Sequence, residues 1–318
     1  VAVIFAWRHV SEEMLSRPLP VAAESTLIVP PGTSFREFAR ELAARDLVRH
    51  PLPLLILARL DGSVGRLLAG EYRIAPGMTL QDLLDKVASG DVILHQFTII
   101  EGWTFDELRQ ALADHPVIRH DPDNPSDAEL MAAIGFPDQH PEGRFLPETY
   151  SFPRGTTDIE FLKRAHAALA RVLEEEWAAR GDNAVVSTPY DALILASIIE
   201  KETAVETERR RVAGVFSRRL ERGMRLQADP TVIYGMGEEY EGRIGTEDLR
   251  TDTPYNTYTR HGLPPTPIAM PGRASIHAAL HPAAGDALYF VARGDGSHEF
   301  SATLREHNAA VRKYILGE

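Results

Sequence analysis

The stretch Leu195-Ala196-Ser197-Ile198-Ile199-Glu200-Lys201-Glu202-Thr203 sets two carboxyl groups at the end of an otherwise apolar run. A carboxyl group kept neutral near pH 7 by apolar surroundings can donate a proton, the first requirement of general acid chemistry. The stretch reads as a helix: Thr188 can cap it, Pro189 suits its first position, Asp191 completes a Thr-x-x-Asp capping box, and an apolar run follows. At about 100° per residue the two glutamates project roughly 200° apart, so a single cleft uses only one of them directly. Glu202 lies over Leu195, Ile198 and Ile199 at helical spacings, whereas Glu200 lies over Leu193, Ala196 and Ser197, which desolvate less. Glu202 is therefore the preferred acid and Glu200 the alternative.

These groups need a scaffold, and the chain has enough material for one. It has 318 residues, 44% of them hydrophobic, which suits a sizeable core and two domains. The absence of cysteine removes disulfides, thiol catalysis and cysteine-ligated zinc, and leaves the redox compartment open. A formal net charge of −12 disfavours nucleic acid or anionic lipid as a partner held by bulk charge. The opening Val1-Ala2-Val3-Ile4-Phe5-Ala6-Trp7 is too short to span a bilayer and reads as the end of a truncated anchor with an interfacial Trp.

A strand, a glycine turn and an amphipathic helix recur. Ile28 to Phe35 leads into Phe38, Ala39 and Leu42, and Arg73 to Leu80 leads into Leu83, Leu84 and Val87. A third variant, Thr98 to Phe105, leads into Leu108 and Leu112 and opens the next domain. Between Pro116 and Glu142 the chain is rich in Asp, Pro, His and Asn, as in Asp121-Pro122-Asp123-Asn124-Pro125, and reads as surface loop. Helical periodicity returns over 158–180 and 206–222, the latter stopping at Gly223. A hairpin over 287–300 precedes a final helix from about Thr303.

Downstream of the glutamates, Leu226-Gln227-Ala228-Asp229-Pro230-Thr231-Val232-Ile233-Tyr234-Gly235 gathers an amide, a carboxylate and an aromatic ring. Tyr255-Asn256-Thr257-Tyr258 and Gly262-Leu263-Pro264-Pro265 follow. Such surfaces suit sugars, because aromatic faces stack on pyranose rings and amides bond to hydroxyls. The Arg209-Arg210-Arg211 run, with Arg218, Arg219 and Arg222, reads as a solvated helix face. His277 and His281 stand one helical turn apart but lack the Glu of His-Glu-x-x-His, so they read as a helix end and no metal or cofactor is expected.

Taken in order, these motifs, with Gly143-Arg144-Phe145-Leu146-Pro147-Glu148-Thr149-Tyr150 upstream and His307-Asn308 at the close, resemble the endolytic murein transglycosylase (YceG-like) family over nearly the whole chain from Leu27. The first two repeat copies resemble the lysine-motif (LysM) module. The resemblance implies an α+β fold: a LysM-like module over 25–97, then a mostly helical lysozyme-like catalytic domain with a small β portion over 98–318, behind a membrane-proximal segment at 1–24. It implies a single-pass inner-membrane protein whose periplasmic domain cuts uncrosslinked glycan strands, with penicillin-binding synthases as partners. Glu202-Thr203 corresponds to the catalytic Glu-Ser pair of related enzymes, with Thr for Ser. Gln227, Asp229, Tyr234, Tyr255, Asn256 and Glu148 are the expected substrate-binding residues.

Two other readings stay open. A hydrolysing muramidase would use Glu202 as acid and Asp229 or Glu148 as its second carboxylate. A non-catalytic glycan-binding scaffold would leave both glutamates as helix-end residues.

Overall fold

The computed structural model describes residues 12–61, 67–120 and 125–317. The apolar start Val1–Trp7 and residues 121–124 of the acidic loop lie outside the described residues. The chain is α+β and divides into two compact units: residues 1–97 with 117–119 and 150–156, and the remainder.

In the first unit, β1 (Ser25–Val29) pairs antiparallel with β2 (Gly70–Ile74), Leu27 opposite Tyr72. Strand side chains alternate between faces, so Leu27 and Val29 turn inward while Ile28 turns out. Helices α1 (Phe35–Ala44), α2 (Pro51–Asp61) and α3 (Leu80–Ser89) complete the unit, and Phe38, Leu42, Leu54, Leu83 and Val87 fill its core. β3 (Leu94–Thr98) and β4 (Thr149–Pro153) form a second two-stranded sheet. Buried Glu71 accepts from Arg154 Nε and bonds His95 Nε2, each at 2.8 Å, which ties both strand pairs together.

The repeat is real in three dimensions. Each copy turns on a glycine in the left-handed region, Gly32 (φ +79°), Gly77 (φ +83°) and Gly102 (φ +80°). Each then enters a helix through a full capping box, Ser34 with Glu37, Thr79 with Asp82 and Thr104 with Glu107. The third copy begins α4 (Phe105–Ala113) in the second unit.

The second unit is built around α7 (Pro189–Glu202), in which every residue from Ala192 to Ile199 is buried. A helix apolar all round must be enclosed. α6 (Asp158–Ala178), α8 (Glu206–Glu221) and α10 (Arg273–Leu280) pack on it, and α9 (Asp229–Met236) crosses near its end. The hairpin β5 (Tyr289–Ala292) and β6 (His298–Ser301) is antiparallel and leads to α11 (Leu304–Val311).

Two sequence expectations are corrected. The segment 116–142 is not all loop: α5 (Asp127–Ile134) lies in it, capped by Ser126 with Glu129 and buried through Leu130, Met131 and Ile134. The arginines of α8 are only in part a solvated face: Arg210, Arg211 and Arg222 are exposed, while Arg209 and Arg218 are half-buried and Arg219 is buried. Arg210 donates to the carbonyl of His281, Arg218 to those of Ala283 and Ala287, and Arg219 to those of Leu226 and Leu288, while Arg211 lies 3.9 Å from the Phe300 ring centroid. The partners of Arg218 and Arg219 are loop carbonyls that regular structure leaves without donors, and such groups must be satisfied when buried.

Candidate active site

α7 stops at Glu202 because Thr203 is extended (φ −146°, ψ 129°) and buried at 3% exposure, its hydroxyl accepting from Val205 N at 3.1 Å. The two glutamates of the last turn meet opposite conditions. Glu200 accepts from the Gly272 amide at 2.9 Å and pairs with Arg209 at 3.4 Å, with its side chain only 6% exposed. Glu101 reaches the same guanidinium at 3.9 Å. Glu200 is thus deeply buried as well, and its ion pair is what sets it apart from Glu202.

Glu202 has neither a hydrogen bond nor an ion pair among the described residues, although it is partly exposed. Burial pushes its carboxyl up to about 8, the negative charge of Asp229 adds to the shift, and Arg219 opposes it. Arg219, 8% exposed, is fixed by its Nε bond to Leu288 O at 2.7 Å and its Nη1 bond to Leu226 O at 2.6 Å. A proton-holding carboxyl with a fixed cation nearby can release the proton and be stabilised as carboxylate.

Around it two loops are laced together. Gln227 N donates to Thr257 O at 3.2 Å, Ala228 N to Thr257 Oγ1 at 3.0 Å, and the Thr231 and Thr257 hydroxyls bond at 2.8 Å. The Tyr258 hydroxyl donates to Asp229 Oδ1 and senses the charge of Glu202. Gln227 is exposed between buried Leu226 and Ala228 at φ +52°, a left-handed conformation rare for a residue with a side chain. Its amide has no hydrogen-bond partner among the described residues.

The other expected residues divide. Tyr234 and Tyr255 are partly exposed and meet edge to face, ring centroids 4.8 Å apart. Glu148 is exposed, and Glu202 registers no effect of its charge. Asn256 is 1% exposed, and its side chain is spent on its own loop: Nδ2 points at the carbonyls of Asp248, Leu249 and Thr251, and Oδ1 accepts from Tyr258 N. The expected sugar contact by Asn256 is thus replaced by a bracing role, because a buried amide with both ends satisfied has nothing left to offer a ligand.

The sequence model of the YceG-like family matches residues 27–313. The chain belongs to the YceG-like family. The endolytic murein transglycosylase of Bacillus subtilis is 34% identical over 306 residues, covering 90% of this chain and 84% of the relative. That of Streptococcus pneumoniae serotype 2 is 27% identical over 98% of this chain and 62% of the relative. A crystal structure of a yceG-like protein from Listeria monocytogenes matches with a TM-score of 0.58 at 29% identity, covering 91% of this chain and 99% of that one.

Sequence reasoning missed several groups of this YceG-like site. Arg219 was hidden in a basic run whose periodicity suggests solvent. Glu142, in the proline-rich segment, is 3% exposed and accepts from Phe105 N, Gly143 N and the Tyr234 hydroxyl. Burial holds its carboxyl at about 7. Glu176 on α6 joins His277 and His281, the ligand atoms lying within 4.8 Å of one another. In that cluster Glu176 bonds Arg273 and His277 at 2.8 Å each, while His281 Nε2 meets Ala179 O at 2.8 Å. The two imidazoles stack at 4.1 Å with 16° between planes, so their in-plane lone pairs do not converge on one ion without rotation.

Proposed function

We propose that this YceG-like chain is an endolytic murein transglycosylase that cleaves the MurNAc-GlcNAc β-1,4 bond of uncrosslinked glycan strands, with Glu202 as its acid and base. The observation that carries the reading is the setting of Glu202: without a bonding partner among the described residues, its carboxyl pushed up by burial, and under the influence of Asp229 and Arg219. Glu202 gives its proton to the glycosidic oxygen as the bond to the muramoyl C1 breaks. The muramoyl C6 oxygen then bonds to C1, and its proton passes to the Glu202 carboxylate, which restores the acid and leaves a 1,6-anhydro end. No water is consumed, and the intramolecular hydroxyl spares the entropy of holding a second nucleophile. Arg219 tempers the charge on Glu202 between the two transfers, and Gln227, Tyr234 and Tyr255 orient the sugar rings.

Residues 98–318 serve as the lysozyme-like catalytic domain in this reading, and 25–97 as a LysM-like glycan-binding module. A groove of about 510 Å³ along Ile28 to Thr33, Glu37, Phe38 and Glu41 supports the second assignment. Among the described residues no helix is long and apolar enough to cross a membrane. Inner-membrane anchoring, periplasmic placement, a part in ending strands and pairing with penicillin-binding synthases rest on the family resemblance, and fractionation of the full native gene product tests the placement.

The test of the reaction is mass spectrometry of products from defined uncrosslinked glycan. Anhydro-muropeptides are expected from the wild type and about 10²- to 10⁴-fold less from Glu202→Gln. Undiminished release by that variant rejects the assignment. The nearness of Asp229 favours one other reading, a hydrolysing muramidase with Asp229 as second carboxylate; reducing ends in place of anhydro ends would establish it.

A further inference from the structure

The turn Glu142-Gly143-Arg144 grips two tyrosines at once. Glu142 accepts from the Tyr234 hydroxyl at 3.0 Å, and the Arg144 guanidinium lies 4.2 Å from the centroid of the Tyr190 ring. Gly143 between them is at φ +73°, and a Cβ there would stand 2.4 Å from Pro267 Cβ, so only glycine fits and the two grips hold a fixed relation. Tyr255 joins the row: it meets Tyr234 at 4.8 Å and is close enough to Tyr190 for the two hydroxyls to influence each other, while its own hydroxyl bonds Thr266 at 2.9 Å. Arg144 is unusual in this acidic chain. Its Nε is buried without a hydrogen-bond partner among the described residues, while its guanidinium both lies over the Tyr190 ring and hydrogen-bonds that residue's side chain. A cation held so against a ring polarises the ring and fixes its plane.

Beyond Tyr190 opens a groove of about 470 Å³, which Tyr190 lines together with Ser187, Asp191, Leu263, Pro264 and Pro265. Tyr190 is partly exposed, and Ser187 and Pro265 are exposed. The pairing of an aromatic ring with hydroxyl and carboxylate acceptors fits a pyranose, which offers an apolar face and a rim of hydroxyls. Tyr190 opens α7 and Glu202 closes it; twelve residues of helix separate them by about 18 Å.

We propose that this groove is a distal saccharide subsite, that Tyr190 is its platform, and that the Glu142-Gly143-Arg144 turn positions the tyrosine row leading to it. Its occupant is the same glycan strand, several sugars from the bond that Glu202 attacks, so the inference rests on the transglycosylase reading for its ligand. The consequence is a preference for strands long enough to reach from one end of α7 to the other.

The test measures binding, not turnover. In a Glu202→Gln background, which leaves strands intact, affinities are determined by calorimetry for an uncrosslinked strand too short to reach from Glu202 to Tyr190 and for one that reaches. The ratio of long-strand to short-strand affinity is expected to fall about three- to tenfold in Tyr190→Ala and to be largely kept in Tyr190→Phe. Arg144→Met, which retains the ring but removes its support, is expected to lower the ratio by a smaller factor and serves if the alanine variant does not fold. An unchanged ratio in Tyr190→Ala or in Arg144→Met, an equal loss for both strands, or a phenylalanine variant as weak as alanine overturns the proposal. Product chemistry is read separately on the wild-type chain, so a hydrolytic product would overturn the anhydro reading and leave the subsite to stand or fall by its own ratio.

Discussion

The two sides of the last turn of α7 carry the same side chain and opposite electrostatics. On one side Glu200 is sealed in, bonded by the Gly272 amide and paired with Arg209; on the other Glu202 has no bonding partner among the described residues and faces the charge of Asp229. Burial alone does not make an acid. A buried carboxyl with a cation and a donor becomes a structural anion, whereas one denied both keeps its proton until a ligand with a basic oxygen arrives.

The largest effect expected from breaking this contrast is on turnover. Glu202→Gln should lose about 10²- to 10⁴-fold in product release while still melting cooperatively, and Glu200→Gln should retain most of whatever activity its folded fraction allows. A larger turnover loss in folded Glu200→Gln would reverse the assignment.

Next comes stability. Arg209→Met strands the Glu200 charge and should cost about 3 kcal/mol in urea melts, and Glu200→Gln should cost less because Glu101 still reaches Arg209 at 3.9 Å. The double variant Glu200→Gln with Arg209→Met should cost less than the sum of the singles. Additive losses would mean the pair is not coupled.

The pH dependence sharpens the same contrast. The Glu202 carboxyl titrates near 8 in the folded chain and near 4.5 when free. Between those values the native state binds the extra proton, so wild-type stability falls as pH rises across the window. Relative to Glu202→Gln, which has no such proton, the wild type should lose about 1–3 kcal/mol from pH 5 to pH 9, a figure reduced from the full shift because the residue is partly exposed. Glu142 titrates near 7 in both proteins and cancels in the difference. Turnover that relies on the protonated acid should also decline as pH passes about 8. A flat difference between the two melting series would show that Glu202 is ionised throughout.

The smallest effect tests the rim. Tyr258→Phe removes the hydroxyl that holds Asp229 and should change turnover within about tenfold, since one hydrogen bond to a charged group is at stake. No change at all would separate Asp229 from the reaction.

Local chemistry was legible in the sequence, long-range pairing was not. The capping residues Thr188 and Asp191, the proline at the first position of α7 and all three glycine turns of the repeat stand where their spacing implies, because each acts within a few residues of itself. The helix over 127–134 was missed although Ser126 and Glu129 announced it, since the surrounding Asp and Pro outweighed a short signal. Arg218 and Arg219 of α8 depart from the solvated face for a different reason: charge implies water only when no buried carbonyl competes for it, and those carbonyls come from residues some seventy positions away in the chain, such as Ala287 and Leu288. Asn256 failed likewise, as nothing in its neighbours' identities shows that three carbonyls converge on its amide. The apolar neighbours that desolvate Glu202 are readable from helical spacing, whereas the Arg209 pairing that separates Glu200 from it is invisible in the sequence.

The left-handed backbone at Gln227 has a practical consequence. Anyone engineering this chain for heat tolerance would be drawn to Gln227→Gly, a change that relaxes an awkward backbone and is expected to raise the melting point slightly. The same edit would delete an exposed amide that has no hydrogen-bond partner among the described residues. A thermostability screen run without a wall substrate in the tube would therefore select for its own disarmament.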